Sequence, residues 1–140
     1  QNGVEVSRKE INSITTKQAT QEVVVVGTKV ELPAGSHEDW MAAAGISASD
    51  YGYVNYIVDH EDHSWNPCKV QGGAVDCTYP GTAMVGYGLV QATPGSKMSS
   101  AGGDWQTNPI TQLRWATSYA VGKYGSWRAA YDHWVSFKNW

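Results

Sequence analysis

Phenylalanine is nearly missing from this chain: one Phe stands against seven Trp and eight Tyr. The aromatic surface is therefore almost all amphipathic, an apolar face with a polar tip. Such rings suit wet binding grooves, and sugar rings offer apolar C–H faces for them to stack on. The alternative is a core packed with Trp. A basic excess is missing too. Net charge is −3, with +1 over residues 1–30 and −4 over the rest by side-chain count. No basic stripe is present, which excludes a nucleic-acid binder. Long apolar runs are absent, so neither a membrane span nor a signal peptide is expected. Gln1 reads as the interior of a longer chain, so a mature or trimmed fragment is expected. Charge is low at 16% and hydrophobic content is 41%, which excludes disorder and supports a packed core. The 140 residues suffice for one ordinary domain, or a small domain and a fragment.

Cysteine is scarce: Cys68 and Cys77 are the two present. A disulfide between them would close a small loop, worth about 2–3 kcal/mol by loop entropy, and would imply an oxidising compartment. A zinc pair is the alternative, but the spacing is not CxxC and no partner His stands at ligand distance in sequence.

Two stretches organise what is present. The first is Tyr56-Ile57-Val58-Asp59-His60-Glu61-Asp62-His63-Ser64-Trp65-Asn66-Pro67. It puts Glu61 at the end of an apolar helical run, just before a helix-stopping Asn-Pro. A carboxyl half in the core loses hydration, and its pKa should rise towards that of a working general acid. The second is Gly86-Tyr87-Gly88-Leu89-Val90-Gln91. Its glycines let backbone approach a ligand closely, while the Gln91 amide can hydrogen-bond it. His60 and His63 invite a metal reading, but the zinc helix motif needs histidines four apart; no metal and no cofactor are expected.

The periodicity divides the chain. Residues 3–30 read as strands, with a valine run, Val23 to Val26, closed by Gly27. Under 30 residues cannot build a core alone. Residues 32–36 form a turn-rich connector and the domain boundary. From His37 the period is helical: a short helix over 38–44 stopped by Gly45, then one capped by Ser49 and running to about Glu61. Val54, Ile57, Val58 and Glu61 fall on one face. Residues 66–84 suggest a loop or small hairpin, Tyr87–Gln91 a turn entering a helical turn, and 93–103 an irregular, mobile loop. Asn108-Pro109 starts a helix to about Tyr124, ended by Gly125. Ser126 caps a last helix with Trp127, Ala130, Tyr131, Trp134 and Val135 at three-and-four spacing.

From about His37 to Trp140 these motifs resemble the lysozyme-like domain of soluble lytic transglycosylases, especially those of Gram-positive wall proteins. The residues that carry the resemblance are His60-Glu61 followed by Ser64-Trp65, then Gly86-Tyr87-Gly88-Leu89-Val90-Gln91, then Ala130-Tyr131-Asp132. Residues 1–30, ending in Val23-Val24-Val25-Val26-Gly27-Thr28-Lys29, resemble the tail of a G5 domain, a β-rich module of secreted wall proteins. The fold class so implied is α+β. Residues 1–31 would be the C-terminal part of a G5-like module, 32–36 a linker, and 37–140 a mainly helical lysozyme-like domain with a small β or loop insert.

The resemblance implies cleavage of the β-1,4 bond between N-acetylmuramic acid and N-acetylglucosamine. Glu61 would act as acid and then base, closing a 1,6-anhydro ring without water. Tyr87 and Gln91 would line the sugar groove, Tyr131 would hydrogen-bond near Glu61, and Trp65 and Trp105 are candidate stacking platforms. A hydrolytic muramidase would need a second carboxylate about 6.5–9.5 Å away, for which Asp76 is the candidate by sequence order. Asp62-His63 stand where Ser normally follows the glutamate, and Asp132 replaces the usual Asn. These departures motivate a third reading, a non-catalytic wall-binding or aggregation module. The implied partner is peptidoglycan, without nucleic acid or membrane insertion, and with a monomer as default. The implied location is secreted and wall-associated in a Gram-positive type of bacterium.

Overall fold

The computed structural model describes residues 31–140, and the strands expected over 3–30 lie outside the described residues. The described part is mainly helical, with four α-helices and two 3-10 segments. Helix α1, His37–Ala43, starts at a reciprocal cap. The Asp39 N–H donates to Ser36 Oγ, and the Ser36 N–H donates to the Asp39 carboxylate at 2.8 Å. Helix α2, Tyr51–Glu61, does not start at Ser49 as the sequence predicts. Ser49 lies in a 3-10 turn, Ala48–Asp50, that feeds into α2, and Asp50 stands at the cap without a side-chain bond. Tightening the entry into a 3-10 turn satisfies first-turn donors that a capping side chain otherwise would.

The other two starts follow the sequence. Asn108 Oδ1 accepts the Ile110 N–H ahead of α3, Pro109–Tyr124, which Gly125 ends in the left-handed region at φ 97°. Ser126 Oγ accepts the Ala129 N–H ahead of α4, Trp127–Phe137. Helix α4 packs on both α2 and α3, and α1 packs on α3. Ala116, Ala120 and Ala130 are fully buried between them; small residues at a helix crossing let the axes approach. Met41, Ile57, Leu89, Leu113 and Trp127 complete the centre.

Between α2 and α3 runs the expected small insert, with three isolated antiparallel bridges: Lys69 to Val75, Val70 to Tyr87, and Tyr87 to Ala92. Cys68 and Cys77 form a disulfide in it. Residues 88–91 are not a helical turn but the reversal between Tyr87 and Ala92, with Gly88 at φ 76° and Gln91 at φ 48°. The stretch 93–103 is also more ordered than expected. Gly95–Ala101 is a 3-10 segment packed on α3, with Met98 fully buried.

One buried side chain ties this insert to the helices. Gln112, on α3, has no exposed surface. Its Oε1 accepts the Leu89 N–H at 2.9 Å, and its Nε2 donates to the carbonyls of Pro67 and Trp105, both at 2.8 Å. Gly88 is required beside it, because a Cβ there would lie 2.5 Å from Gln112 Oε1. Replacing Gln112 by Met keeps the volume but orphans three buried backbone groups, each worth about 1–3 kcal/mol when unsatisfied. We expect Gln112→Met to lower stability by about 2–4 kcal/mol, read as a fall in the urea midpoint. An unchanged midpoint would mean that the clamp contributes nothing.

Candidate active site

Glu61 is the last residue of α2 and follows Ile57 by four and Val58 by three positions, so it shares their buried stripe. The helix ends there, which leaves the carboxyl half-buried at a rim. Its Oε1 accepts a hydrogen bond from Trp134 Nε1 at 2.7 Å, across from α4. Burial pushes the Glu61 pKa above its usual 4.5, against the Trp134 bond and the nearby His60 and His63, which pull it down. Desolvation wins because the rim denies the carboxylate part of its water, and a single donor does not replace it.

His60 lies against the same indole, with ring centroids 4.7 Å apart. Its Nδ1 is 2.6 Å from the Tyr56 carbonyl. A carbonyl can only accept, so Nδ1 carries a proton. Tyr56 in turn meets Trp134 edge-on at 5.5 Å.

Glu61 and Gln91 open onto one cavity of about 280 Å3. Gln91 Nε2 is spent on the Gly88 carbonyl at 2.9 Å and the Lys69 carbonyl at 3.3 Å, which fixes the amide and leaves Oε1 as its group for a ligand. The far wall is aromatic. Trp115 stacks on Tyr119 at 5.1 Å, and Tyr119 meets Trp140 edge-on at 5.1 Å. Lys97 and Lys138 also line the space, and Glu61 is the single acidic side chain among the lining residues.

Several expected site residues stand elsewhere. Tyr87 is not a groove residue: it is fully buried, stacked on Tyr79, and its hydroxyl donates to the Gln106 carbonyl at 2.8 Å. Burial, reinforced by Asp76, pushes its pKa up to about 12. Trp105 is core as well, 8% exposed and edge-on to Tyr87. Trp65 is 5% exposed, stacked on His37 at 4.0 Å, with its indole N–H on Asp59. Tyr87 and Trp105 pack against each other in building the irregular insert, whereas Trp65 packs on His37 and Trp40 of α1. Tyr131 packs edge-on to Tyr56 at 4.8 Å and against Tyr53. The bond to Glu61 expected from Tyr131 comes instead from Trp134, one helical turn further on. Asp76 is fully exposed, accepts from the Thr78 N–H and hydroxyl, is held below the usual carboxylate range by them, and does not line the cavity.

Trp134, Trp115, Tyr119, Trp140 and the two lysines were not singled out from sequence as site residues. Trp134 carried a usable signal. It sat on the buried stripe of a helix, and a buried indole N–H needs an acceptor.

Comparison with known proteins adds one relation. The G5 domain family matches residues 1–29, a segment outside the described residues. No curated protein and no solved structure matches the chain. No helix among the described residues is long and apolar enough to cross a membrane.

The Glu61 carboxyl should therefore titrate with a midpoint above 4.5, followed by side-chain carbon NMR. Trp134→Phe removes the bond that favours the charged form, so the midpoint should move further up. A midpoint that stays or falls in that variant would mean the indole does not stabilise the carboxylate.

Proposed function

We propose that residues 37–140 form a lysozyme-like lytic transglycosylase domain acting on peptidoglycan. The observation that carries this reading is the setting of Glu61. It is half-buried, bonded to Trp134 and raised in pKa, and it faces a cavity walled by Trp115, Tyr119 and Trp140. A raised pKa keeps a carboxylic acid protonated where an ordinary one has ionised, which general acid catalysis needs. The aromatic wall offers stacking faces for pyranose rings.

In this reading Glu61 donates its proton to the bridging oxygen as the glycosidic bond breaks with oxocarbenium character. Trp134 occupies Oε1, so Oε2 carries the proton. As the proton leaves, the indole N–H becomes a charge-assisted donor to a full carboxylate, a bond stronger in the transition state than before it. The carboxylate then takes the proton of the muramoyl C6 hydroxyl, whose oxygen closes on C1 as the 1,6-anhydro ring. One carboxyl serves both steps. A cavity with a single acidic side chain, and an Asp76 committed to Thr78 outside it, favour this over a two-carboxylate muramidase.

G5 modules occur in extracellular wall proteins, and the Cys68–Cys77 disulfide belongs to an oxidising compartment. Both support a secreted, wall-associated enzyme.

The test is mass spectrometry of fragments released from purified peptidoglycan, wild type beside Glu61→Gln. We expect anhydro-muramoyl ends from the wild type and none from the variant. Reducing muramoyl ends would indicate hydrolysis. Release of nothing, with the protein still bound to the wall, would leave a binding module. The rate should hold below the Glu61 pKa and fall as pH rises through it, because the deprotonated group has no proton to give. Since that pKa lies above 4.5, so should the alkaline limb of the profile.

A further inference from the structure

The cavity beside Glu61 has a charge pattern opposite to that of the domain around it. Residues 31–140 carry six basic and ten acidic side chains. Two of the six bases, Lys97 and Lys138, line the cavity, against one acid, Glu61. With Glu61 protonated, as its acid role requires, the charged side chains among the lining residues are the two lysines.

Both lysines stand on fixed backbone. Lys97 precedes Met98, which is fully buried and anchors the 3-10 segment Gly95–Ala101. Gly95 in that segment is pressed against Tyr87, where a Cβ would lie 2.6 Å from the Tyr87 Cβ. Lys138 follows α4 in the left-handed region, at φ 59°, with its N–H on the Trp134 carbonyl at 2.7 Å. Its Nζ donates to the Val135 carbonyl at 2.9 Å and lies 5.4 Å from the Trp134 ring centroid. The indole that holds Glu61 is thus also the platform for this ammonium. Glu61, the carboxylate that shares the cavity, is bonded to that indole.

We propose that Lys97 and Lys138 form an anion-reading subsite of this cavity, which binds a carboxylate carried by the muramoyl unit of the glycan. The inference rests on the glycan-cleaving reading for its substrate. The muramoyl unit bears a lactyl arm, and the carboxylate is either the free lactyl group or one on the peptide attached there. The two sources share their chemistry, so the probes separate them. Two flexible ammonium groups suit a carboxylate that reaches the cavity by different lengths of arm. Partly exposed pairs of this kind give modest affinity, roughly threefold to fivefold each, and they weaken with salt.

The experiment is calorimetric binding of three disaccharide probes: one with a free lactyl carboxylate, one with a peptide bearing free carboxylates, and one with the same peptide amidated. Wild type is compared with Lys97→Gln, Lys138→Gln and the double variant. We expect the amidated probe to bind about tenfold more weakly than its free-acid form. That ratio should shrink towards one in the double variant and under raised salt. Tighter binding of the lactyl probe would name the lactyl group as the anion, and of the peptide acid probe the stem. Lys138→Arg keeps the charge, so it should restore the ratio and separate charge loss from damage to the end of α4. Equal binding of all three probes by wild type, or a preference for either carboxylate probe over the amidated one that is unmoved in the double variant, overturns the subsite. Glycan release is followed in parallel. Carboxylate preference without release would sink the enzyme reading and keep the subsite; release without preference would do the reverse.

Discussion

The site depends on one buried carboxamide. Gln112 joins the chain just after α2, the glycine-rich reversal and the stretch leading into α3, through Pro67, Leu89 and Trp105. The insert has three isolated bridges and no longer ladder among the described residues, so its backbone groups cannot satisfy one another in a sheet. A buried amide has two donors and an acceptor that can substitute for such a ladder. The disulfide restrains one end of the insert, and Gln112 fixes the other against α3. The clamp thus helps hold the reversal that carries Gln91 against the helix α3 side of the fold.

Glu61 illustrates a balance rather than a single effect. Full burial would make its charged form too costly, and full exposure would leave an ordinary carboxylate. Ending α2 at this residue sets the burial halfway, and Trp134 then supplies one donor. His60 and His63 act in the same direction as the indole, and burial outweighs all three. Such a group can both hold a proton and give it up.

The helices were legible in the sequence because their signals are local. Asn108-Pro109, Ser126 and Gly125 mark ends by chemistry that operates within four residues, and the structure places the ends there. Ser49 misled because a 3-10 turn does the work of a cap, and that choice is not written in one residue. The aromatic residues misled for a different reason. Trp65, Tyr87 and Trp105 look the same in sequence as Trp115, Tyr119 and Trp140, yet the first three are buried in the core and the second three line the cavity. Nothing short of the tertiary path distinguishes them, since stacking on a sugar and packing in a core call for the same ring. That Glu61 and Gln91 would share a cavity was legible because each sits at a break that the local pattern reveals; the Trp134 bond to Glu61 was not, because it joins two helices far apart in sequence.

The residues after Glu61 organise a turn of their own. Asp62 is fully buried and turns inward, where its carboxylate accepts the Ser64 hydroxyl at 2.9 Å and the Asn66 N–H. Burial raises its pKa even so, against those two bonds. With Asp62 as the anchor, the chain reverses through His63 and Trp65, both in the left-handed region at φ 64° and 52°. The reversal sends the Trp65 ring under α1 onto His37. A serine in place of Asp62 has one short hydroxyl and could not accept both bonds at once with two separate oxygens. The Asp62 carboxylate therefore organises its own turn and does not compete for the Trp134 donor. Glu61 takes its hydrogen bond from α4, 73 residues away in sequence, and not from the segment that follows it.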